Sequence, residues 1–220
     1  MQLFRNSKLK LIIIDNFLKK EIFHLLSKTL RIKKVNKRFT SFYGTINNQG
    51  VIDTNFDPKI IKALHKFCHK KGINILKKLN PKKLKLYEYS EYCAIITNKN
   101  SKSHIHDDVP EKLLSGVIYI YPNTNKGTFF YKNAKGEGKT EIKWKLNRAV
   151  FFSRHEDVSW HSYESNNNKR IVLVYNLMTS KVKEALEAEG KYYIFYYLRY
   201  LSKILLHKGK SLFYKFFHIK

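Results

Sequence analysis

The sequence predicts a mainly β fold of the sandwich or barrel type, such as a jelly roll, with flanking helices. Between residues 84 and 178 the apolar residues form eight short runs rich in Ile, Val, Phe and Tyr, which is typical of strands. Turn-forming residues separate these runs, for example at 98–100 and 135–138. No run approaches the ~20 uninterrupted apolar residues that a membrane span requires. The chain therefore has the pattern of a globular β protein.

The elements follow in order from residue 8. Residues 8–14 are rich in Ile and Leu and predict a first strand. Helical spacing of apolar residues predicts a helix over 17–31, capped by Asp15 or Asn16. A second helix is expected over 58–79, and short strands are expected over 39–46 and around residue 51. The eight core strands are predicted at 84–89, 93–96, 113–121, 128–131, 141–144, 149–153, 158–161 and 170–178.

The character of the sequence changes after residue 180, so we predict two parts. Residues 1–180 are expected to form the jelly-roll domain with its N-terminal helices, and residues 181–220 a basic, aromatic, helical extension. The extension suits either an amphipathic helix on an anionic membrane surface or a helix docked on the barrel or on a second subunit, as in a homodimer.

The charge of the chain is a weak guide to its partners. The formal net charge is +26, but Lys far outnumbers Arg among the 43 basic residues. The accompanying bias toward Asn, Ile, Tyr and Phe is that of an AT-rich genome, and no specific nucleic acid is predicted. Cys68 and Cys93 cannot form a disulfide framework, which favours a reducing compartment. No signal peptide is visible, so we expect a cytoplasmic protein, membrane-associated if the extension binds lipid.

Residues 101–108, Ser-Lys-Ser-His-Ile-His-Asp-Asp, place two imidazoles and two carboxylates in five consecutive positions. In an extended chain, alternate side chains share a face. His104, His106 and Asp108 would then lie on one face, and Asp107 on the other. Two interpretations of a metal site follow, an H-x-D pair (His106 and Asp108) or an H-x-H pair (His104 and His106).

Two residues far along the chain favour the H-x-D pair. His161 stands at the end of an expected strand, where a barrel could bring it beside His106 and Asp108. Two His and one carboxylate are the ligand set of non-haem iron(II) oxygenases. Arg170 begins the last core strand, and a guanidinium entering a barrel is costly unless it meets an anion such as a carboxylate. Together these four residues predict an iron centre with a dicarboxylate co-substrate.

The sequence resembles the iron(II)/2-oxoglutarate-dependent dioxygenases of the prolyl-4-hydroxylase-like type. The resemblance covers most of residues 10–178 and rests on the H-x-D…H…R combination with its flanking residues. Four segments carry it: LIIIDNFLKKEIFHLL, HDDVPEKLLSGVIYIYP, GTFFY and AVFFSRHEDVSWHSYESNNNKRIVLVYNL.

The resemblance implies a double-stranded β-helix core and a role for each matching residue. His106, Asp108 and His161 would hold Fe(II), and Arg170 would bind the distal carboxylate of 2-oxoglutarate. Tyr119 matches a position where the family often places a Tyr that hydrogen-bonds the same carboxylate, with ordinary packing as the alternative. The implied activity is a hydroxylation that consumes dioxygen and 2-oxoglutarate and releases succinate and carbon dioxide. The substrate is left open among a protein side chain such as proline, a glycan and a small molecule.

Two other functions fit parts of the sequence. A cupin-type metal protein would use His104, His106 and Glu111, but the glycines expected around that motif are absent and Arg170 has no role in it. A non-catalytic module that binds a membrane surface or a polyanion would use the basic aromatic extension.

Overall fold

Two antiparallel sheets packed against each other form the body of the protein. The computed structural model describes residues 2–6, 9–35, 39–196, 198 and 202. The larger sheet has eight strands in the order β1-β2-β9-β6-β11-β5-β3-β4, and the smaller has three in the order β10-β7-β8. The strands are β1 (Gln2–Asn6), β2 (Leu9–Ile14), β3 (Phe39–Asn47), β4 (Gly50–Thr54), β5 (Tyr89–Thr97), β6 (Lys112–Tyr121), β7 (Thr128–Phe130), β8 (Thr140–Ile142), β9 (Ala149–Phe152), β10 (His161–Tyr163) and β11 (Arg170–Met178). This architecture confirms the predicted mainly β, jelly-roll fold.

Helices cover one face of the larger sheet. The helices are α1 (Lys20–Arg31), α2 (Pro58–Leu79) and α3 (Val182–Ala188), with a 3₁₀ helix at Pro81–Leu86. Asp57 caps α2 by accepting a hydrogen bond from the Lys59 amide, and Pro58 occupies the first turn, where its missing N–H costs nothing. Gly72 lies where a Cβ atom would overlap the Tyr175 hydroxyl, so the glycine lets α2 approach the sheet closely.

The alternation of side chains along β11 divides the interior into two cores. Ile171, Leu173, Tyr175 and Leu177 pack into the core beneath the helices. Val172, from the opposite side of the strand, packs into a smaller core between the two sheets, together with residues of both. Arg170, Val172, Val174 and Asn176 line a cavity on that inner side. The alternation along β11 therefore directs the even-numbered side chains from Arg170 to Asn176 toward the space between the sheets.

Several predicted boundaries were wrong, including those of β5 and β8, and three of the errors have a local cause. The first helix begins at Lys20 rather than near residue 17, because Asp15 binds Lys145 and Arg148 instead of capping the helix. Residues 81–86, expected in part as strand, form the 3₁₀ helix opened by Pro81. The strand expected at 158–161 begins at His161, since residues 155–159 close a turn in which the Ser159 amide donates to the His155 carbonyl.

The extension predicted for residues 181–220 falls largely outside the described residues. α3 confirms the helix expected at 181–189, and it buries Ala185 and Leu186. Tyr192, Ile194, Phe195 and Leu198 are exposed. Residues 197, 199–201 and 203–220 lie beyond the description, so the division at residue 180 and the role of the extension stay predictions. No helix in the described part of the chain combines the length and apolar character of a membrane span.

Candidate active site

His106 and His161 face each other across an isolated antiparallel bridge at the edge of the smaller sheet. The His106 amide donates to the His161 carbonyl at 3.0 Å, and the His161 amide donates to the His106 carbonyl at 2.8 Å. The centroids of the two imidazole rings are 4.4 Å apart. The segment around His106 is otherwise irregular, with a second bridge between Lys102 and Glu164. Pairing between distant segments therefore brings the two imidazoles together, as the sequence predicted.

The backbone sets the tautomer of both imidazoles. The Nδ1 of His106 lies 3.0 Å from the carbonyl oxygen of His104, and the Nδ1 of His161 lies 2.8 Å from that of Ser159. A carbonyl oxygen only accepts, so each Nδ1 carries the proton and each Nε2 keeps a free lone pair. Burial lowers the pKa of His161 to about 4, against the opposing attraction of Asp108. Its ring is therefore neutral at neutral pH, as a metal ligand must be.

Asp108 completes a cluster of three potential metal ligands. One ligand atom from each of His106, Asp108 and His161 lies within 4.8 Å of the other two. Asp108 is buried, and its two carboxylate oxygens accept hydrogen bonds from the Lys112 ammonium at 2.7 Å and the Ser115 hydroxyl at 2.6 Å. Burial raises the pKa of Asp108, but the nearby Lys112 and His161, with these hydrogen bonds, hold it well below its ordinary value. The carboxylate is therefore ionised.

Arg170 is a buried cation on the same cavity. Only 2% of Arg170 is exposed. Among the described residues it forms no ion pair, and its Nε donates no hydrogen bond. Its guanidinium carbon lies 4.7 Å from the centroid of the Tyr163 ring and 5.4 Å from that of the Trp144 ring. Burial lowers the pKa of Arg170 to about 10, so it stays charged at neutral pH. A buried guanidinium of this kind fits an anionic ligand.

The cavity measures about 220 Å³ and lies between the two sheets. Its polar lining residues stand near both ends of β11, with Arg170 at one end. At the other end Asn176 pairs with both Glu91 and Ser115 across the strands. The Cα atoms of Arg170 and Asn176 are roughly 20 Å apart along β11. The lining residues are Glu91, Cys93, Ile95, His106, Asp108, Lys112, Ser115, Val117, Thr128, Phe152, His161, Ser162, Tyr163, Arg170, Val172, Val174 and Asn176.

Tyr119 is buried beside the cavity, and its hydroxyl is engaged by protein groups. The hydroxyl lies 3.0 Å from the Thr128 Oγ1 and 3.2 Å from the Ile142 carbonyl oxygen, and it accepts from the Thr128 amide. The ring stacks on Trp144 with the ring centroids 4.4 Å apart. Thr128, rather than Tyr119, lines the cavity. The role expected for Tyr119 in carboxylate binding stays a prediction.

The other acidic and imidazole side chains of the 101–108 segment do not line the cavity. His104 is exposed and contributes its carbonyl oxygen to the Nδ1 of His106. The carboxylate of Asp107 lies near those of Glu156 and Asp157. Neither His104 nor Glu111 lines the cavity, so the structure does not favour the cupin alternative.

Sequence reasoning missed Lys112, Ser115, Thr128 and Asn176. The alternation that placed Tyr119 on β6 would also have placed Ser115 on the same face, and the alternation from Arg170 would have placed Asn176. No comparable signal existed for Lys112, one of many Lys residues in the chain.

No protein-family model matches the sequence, and no curated protein matches it. Solved structures do match. The chain is 16% identical to the viral collagen prolyl hydroxylase of Paramecium bursaria Chlorella virus 1, solved in complex with 2-oxoglutarate, with a TM-score of 0.55 over 78% of this chain and 96% of that one. It is 8% identical to the dioxygenase for auxin oxidation 1 of Arabidopsis thaliana, also in complex with 2-oxoglutarate, with a TM-score of 0.57 over 77% of this chain and 83% of that one. A member of the 2-oxoglutarate/iron(II) oxygenase family from Burkholderia pseudomallei is 11% identical, with a TM-score of 0.53 over 76% of this chain and 84% of that one.

These matches define the fold class of the protein. At such identities they show a shared fold, and that fold is the jelly-roll core of the 2-oxoglutarate/iron(II) oxygenases, as the sequence resemblance predicted. The residues of the cavity fit the group that such proteins carry. Two imidazole Nε2 atoms and one carboxylate are a facial ligand set for iron(II), and the unpaired guanidinium of Arg170 fits the distal carboxylate of a dicarboxylic acid.

Proposed function

We propose that the protein is an iron(II)- and 2-oxoglutarate-dependent dioxygenase that hydroxylates its substrate. The observation that carries this proposal is one cavity that holds both the His106–Asp108–His161 cluster and the unpaired, buried Arg170. The fold shared with known 2-oxoglutarate oxygenases supports it. In this proposal the cluster holds Fe(II), and Arg170 binds the distal carboxylate of 2-oxoglutarate. Tyr119 assists through Thr128, whose side chain its hydroxyl contacts.

The protein's own contribution is orientation and a fixed charge pattern. When bound, Fe(II) and 2-oxoglutarate supply the activation of dioxygen, so that a substrate C–H bond becomes C–OH while 2-oxoglutarate becomes succinate and carbon dioxide. The His104 and Ser159 carbonyls hold the two imidazoles with Nε2 toward the cavity, and Ser115 orients the carboxylate. The apolar residues Val117, Phe152 and Val172 line the same cavity and limit the access of bulk water.

We infer that the first candidate substrate is a prolyl side chain, as for enzymes of the prolyl-4-hydroxylase-like type. We also propose that the protein is cytoplasmic. The resemblance of the sequence motifs and the fold of the viral collagen prolyl hydroxylase support a prolyl side chain of a protein. A glycan or a small molecule is the alternative.

The exposed apolar residues Tyr192, Ile194 and Phe195 support peripheral membrane contact or self-association through the extension. Liposome flotation and sedimentation velocity on the full chain separate those two roles.

The experiment for the proposed function measures succinate. The purified protein is supplied with Fe(II), 2-oxoglutarate, ascorbate and pools of proline-containing peptides, nucleotide sugars or lipid-linked glycans. We expect substrate-dependent succinate formation that His106→Ala, Asp108→Ala or His161→Ala abolishes along with metal binding. Arg170→Ala should raise the 2-oxoglutarate requirement while metal binding persists.

The matched control is His104→Ala. It removes a neighbouring imidazole that does not line the cavity, and the carbonyl oxygen that fixes His106 stays in place, so the variant should keep its metal. A wild-type protein that binds no metal and forms no succinate with any pool would refute the proposal.

A further inference from the structure

A buried network of four charged side chains joins the residue that follows α3 to the backbone of Asp108. Its members are Lys83 of the 3₁₀ helix, Arg154 and Glu156 just after β9, and Glu189 just after α3. All four are buried, with Lys83 at 0% and Arg154 at 1% exposure. The two positive charges of Lys83 and Arg154 are neutralised by the two negative charges of Glu156 and Glu189, which makes the burial of all four energetically tolerable.

Arg154 is the centre of this network. Its Nε donates a hydrogen bond to the backbone carbonyl of Asp108 at 2.9 Å. Its Nη1 donates to both carboxylate oxygens of Glu189, at 3.0 and 2.8 Å, and its Nη2 donates to Glu156. The two Nη atoms are thus held by the carboxylates of Glu189 and Glu156, while the Nε atom binds the main chain at Asp108. Only the fork of an arginine reaches all these acceptors at once.

The main chain at Asp108 relies on the hydrogen bond from Arg154 because Asp108 lies beyond the backbone bridge between His106 and His161. The main-chain bridge that fixes His106 to His161 ends at His106, two residues before Asp108. Beyond it, the hydrogen bond from Arg154 fixes the Asp108 carbonyl. The side chain of Asp108 is oriented separately, by Lys112 and Ser115. Arg154 therefore fixes the main chain from which the Asp108 side chain extends toward the two imidazoles.

Glu189 in turn depends on the packing of α3. Its carboxylate accepts from the Lys83 ammonium at 2.6 Å, from Arg154, and from the Glu156 amide at 2.8 Å. The Lys83 ammonium also donates to the Arg154 carbonyl at 2.5 Å. The apolar side chains that α3 buries set the position at which Glu189 leaves the helix. The end of α3, the 3₁₀ helix and the turn after β9 therefore meet at one carboxylate.

We propose that Arg154 is a positioning residue for the metal centre, and that Glu189 makes the α3 segment part of the metal-binding unit. This inference rests on the proposed function only in assuming that His106, Asp108 and His161 bind a divalent metal. It predicts that metal affinity depends on the network even though none of the network's side chains is a metal ligand.

The test compares Co(II) binding to metal-free wild-type protein, Arg154→Lys and Arg148→Lys, by titration of the visible absorption of Co(II). In Arg154→Lys the new ammonium retains the charge beside Glu189 but cannot also hold the Asp108 carbonyl. We expect a loss of Co(II) affinity of about 10- to 100-fold and an altered absorption spectrum in the folded variant.

Arg148→Lys is the matched control for this titration. Arg148 also binds a carboxylate, that of Asp15, and a backbone carbonyl, that of Lys143, but unlike Arg154 it makes no hydrogen bond to Asp108. None of the Arg148 side-chain hydrogen bonds among the described residues reaches His106, Asp108 or His161, so Arg148→Lys should bind Co(II) like the wild type.

A second measurement uses the wild-type protein alone, so the outcome does not depend on whether Arg154→Lys folds. Metal binding and order in the α3 segment must be reciprocally coupled if the network links them. Hydrogen exchange with and without Co(II) should show increased protection of amides 182–190 as well as 104–115. Unchanged exchange at 182–190, or wild-type affinity and spectrum in a folded Arg154→Lys, would overturn this inference and leave the proposed function intact. Failure of the wild-type protein to bind Co(II) would overturn both.

Discussion

The Lys112 ammonium lies 2.7 Å from the Asp108 carboxylate, inside the cavity that holds the candidate metal ligands. Burial lowers the pKa of Lys112, but the attraction and hydrogen bond of Asp108 outweigh it and leave the pKa above its ordinary value. Lys112 is therefore a fixed cation beside a carboxylate that we assign to a divalent cation. The Lys112 ammonium and a metal ion bound to Asp108 would therefore compete for the same carboxylate.

Lys112→Met should tighten metal binding. The substitution removes a positive charge a few ångströms from the metal position, and repulsion at that distance in a partly buried site is large enough for an effect on the order of tenfold. Isothermal titration with Mn(II) measures it. Lys126→Met is the control, since Lys126 pairs with Glu164 on the surface. Weaker Mn(II) binding by Lys112→Met would instead mean that Lys112 mainly orients Asp108.

Arg170→Met should stabilise the free protein and weaken its binding of 2-oxoglutarate. Methionine can pack between Trp144 and Tyr163, and it removes a buried cation that has no ion-pair partner among the described residues. We expect a gain of about 1 kcal/mol in the free energy of unfolding, measured with urea. The affinity for 2-oxoglutarate, measured by titration in the presence of Mn(II), should fall by about 100-fold. A destabilised variant with unchanged 2-oxoglutarate affinity would show that Arg170 is a structural residue.

Tyr119→Phe and Thr128→Val separate packing from carboxylate binding. The Tyr119 hydroxyl contacts Thr128, whereas Thr128 itself lines the cavity. If Tyr119 acts through Thr128, both variants should weaken 2-oxoglutarate binding, each by about the tenfold expected for one hydrogen bond. If Tyr119 serves packing alone, Tyr119→Phe should lower only the free energy of unfolding. Titration and urea denaturation on the same samples decide between the two roles.

The sequence predicted those parts of the fold and site that local patterns encode. The limits of β11 were predicted without error, because residues 171–175 form an apolar run and polar turn residues lie on both sides of the 170–178 segment. The alternation of an extended chain placed His106 and Asp108 on one face and Asp107 on the other, which the structure reproduces although the segment forms bridges rather than a continuous strand. Local spacing was sufficient there.

Contacts between distant segments were beyond such patterns. Arg154 stands in the polar run Ser-Arg-His-Glu-Asp, which is typical of an exposed loop, yet it is among the most buried residues of the protein. Its burial becomes tolerable only when Lys83 and Glu189, separated by 106 residues, meet beside it. Lys83 itself lies in the run Pro-Lys-Lys-Leu-Lys, whose charges are typical of a solvated turn. Nothing in the sequence near any of these residues indicates the others.

Gly127→Ala should destabilise the smaller sheet. A Cβ atom at Gly127 would overlap the carbonyl oxygen of Ile142 and crowd the Trp144 amide, and backbone atoms cannot move aside as a flexible side chain would. The β7 and β8 strands would have to separate at that point, so we expect a loss of at least about 2 kcal/mol in the free energy of unfolding. Urea denaturation followed by Trp fluorescence measures it. Asn123→Ala, at an exposed position of the same loop, is the control and should be nearly neutral.

His65 should make the stability of the protein fall as the pH falls from 6.5 to 4. Burial, with the neighbouring His69, lowers the pKa of His65 from 6.5 to about 4, and its Nδ1 has no hydrogen-bond partner among the described residues. Between those two pH values the unfolded chain binds a proton that the folded chain does not, so the contribution of His65 is present above 6.5 and is lost toward 4. His65→Phe removes this proton-linked loss, which we expect to be about 1 kcal/mol because the ring is partly exposed to solvent. Urea unfolding at several pH values measures the difference, with the same substitution at exposed His24 as the control. Parallel stability curves for the wild type and His65→Phe would show that His65 titrates alike in the folded and unfolded chains.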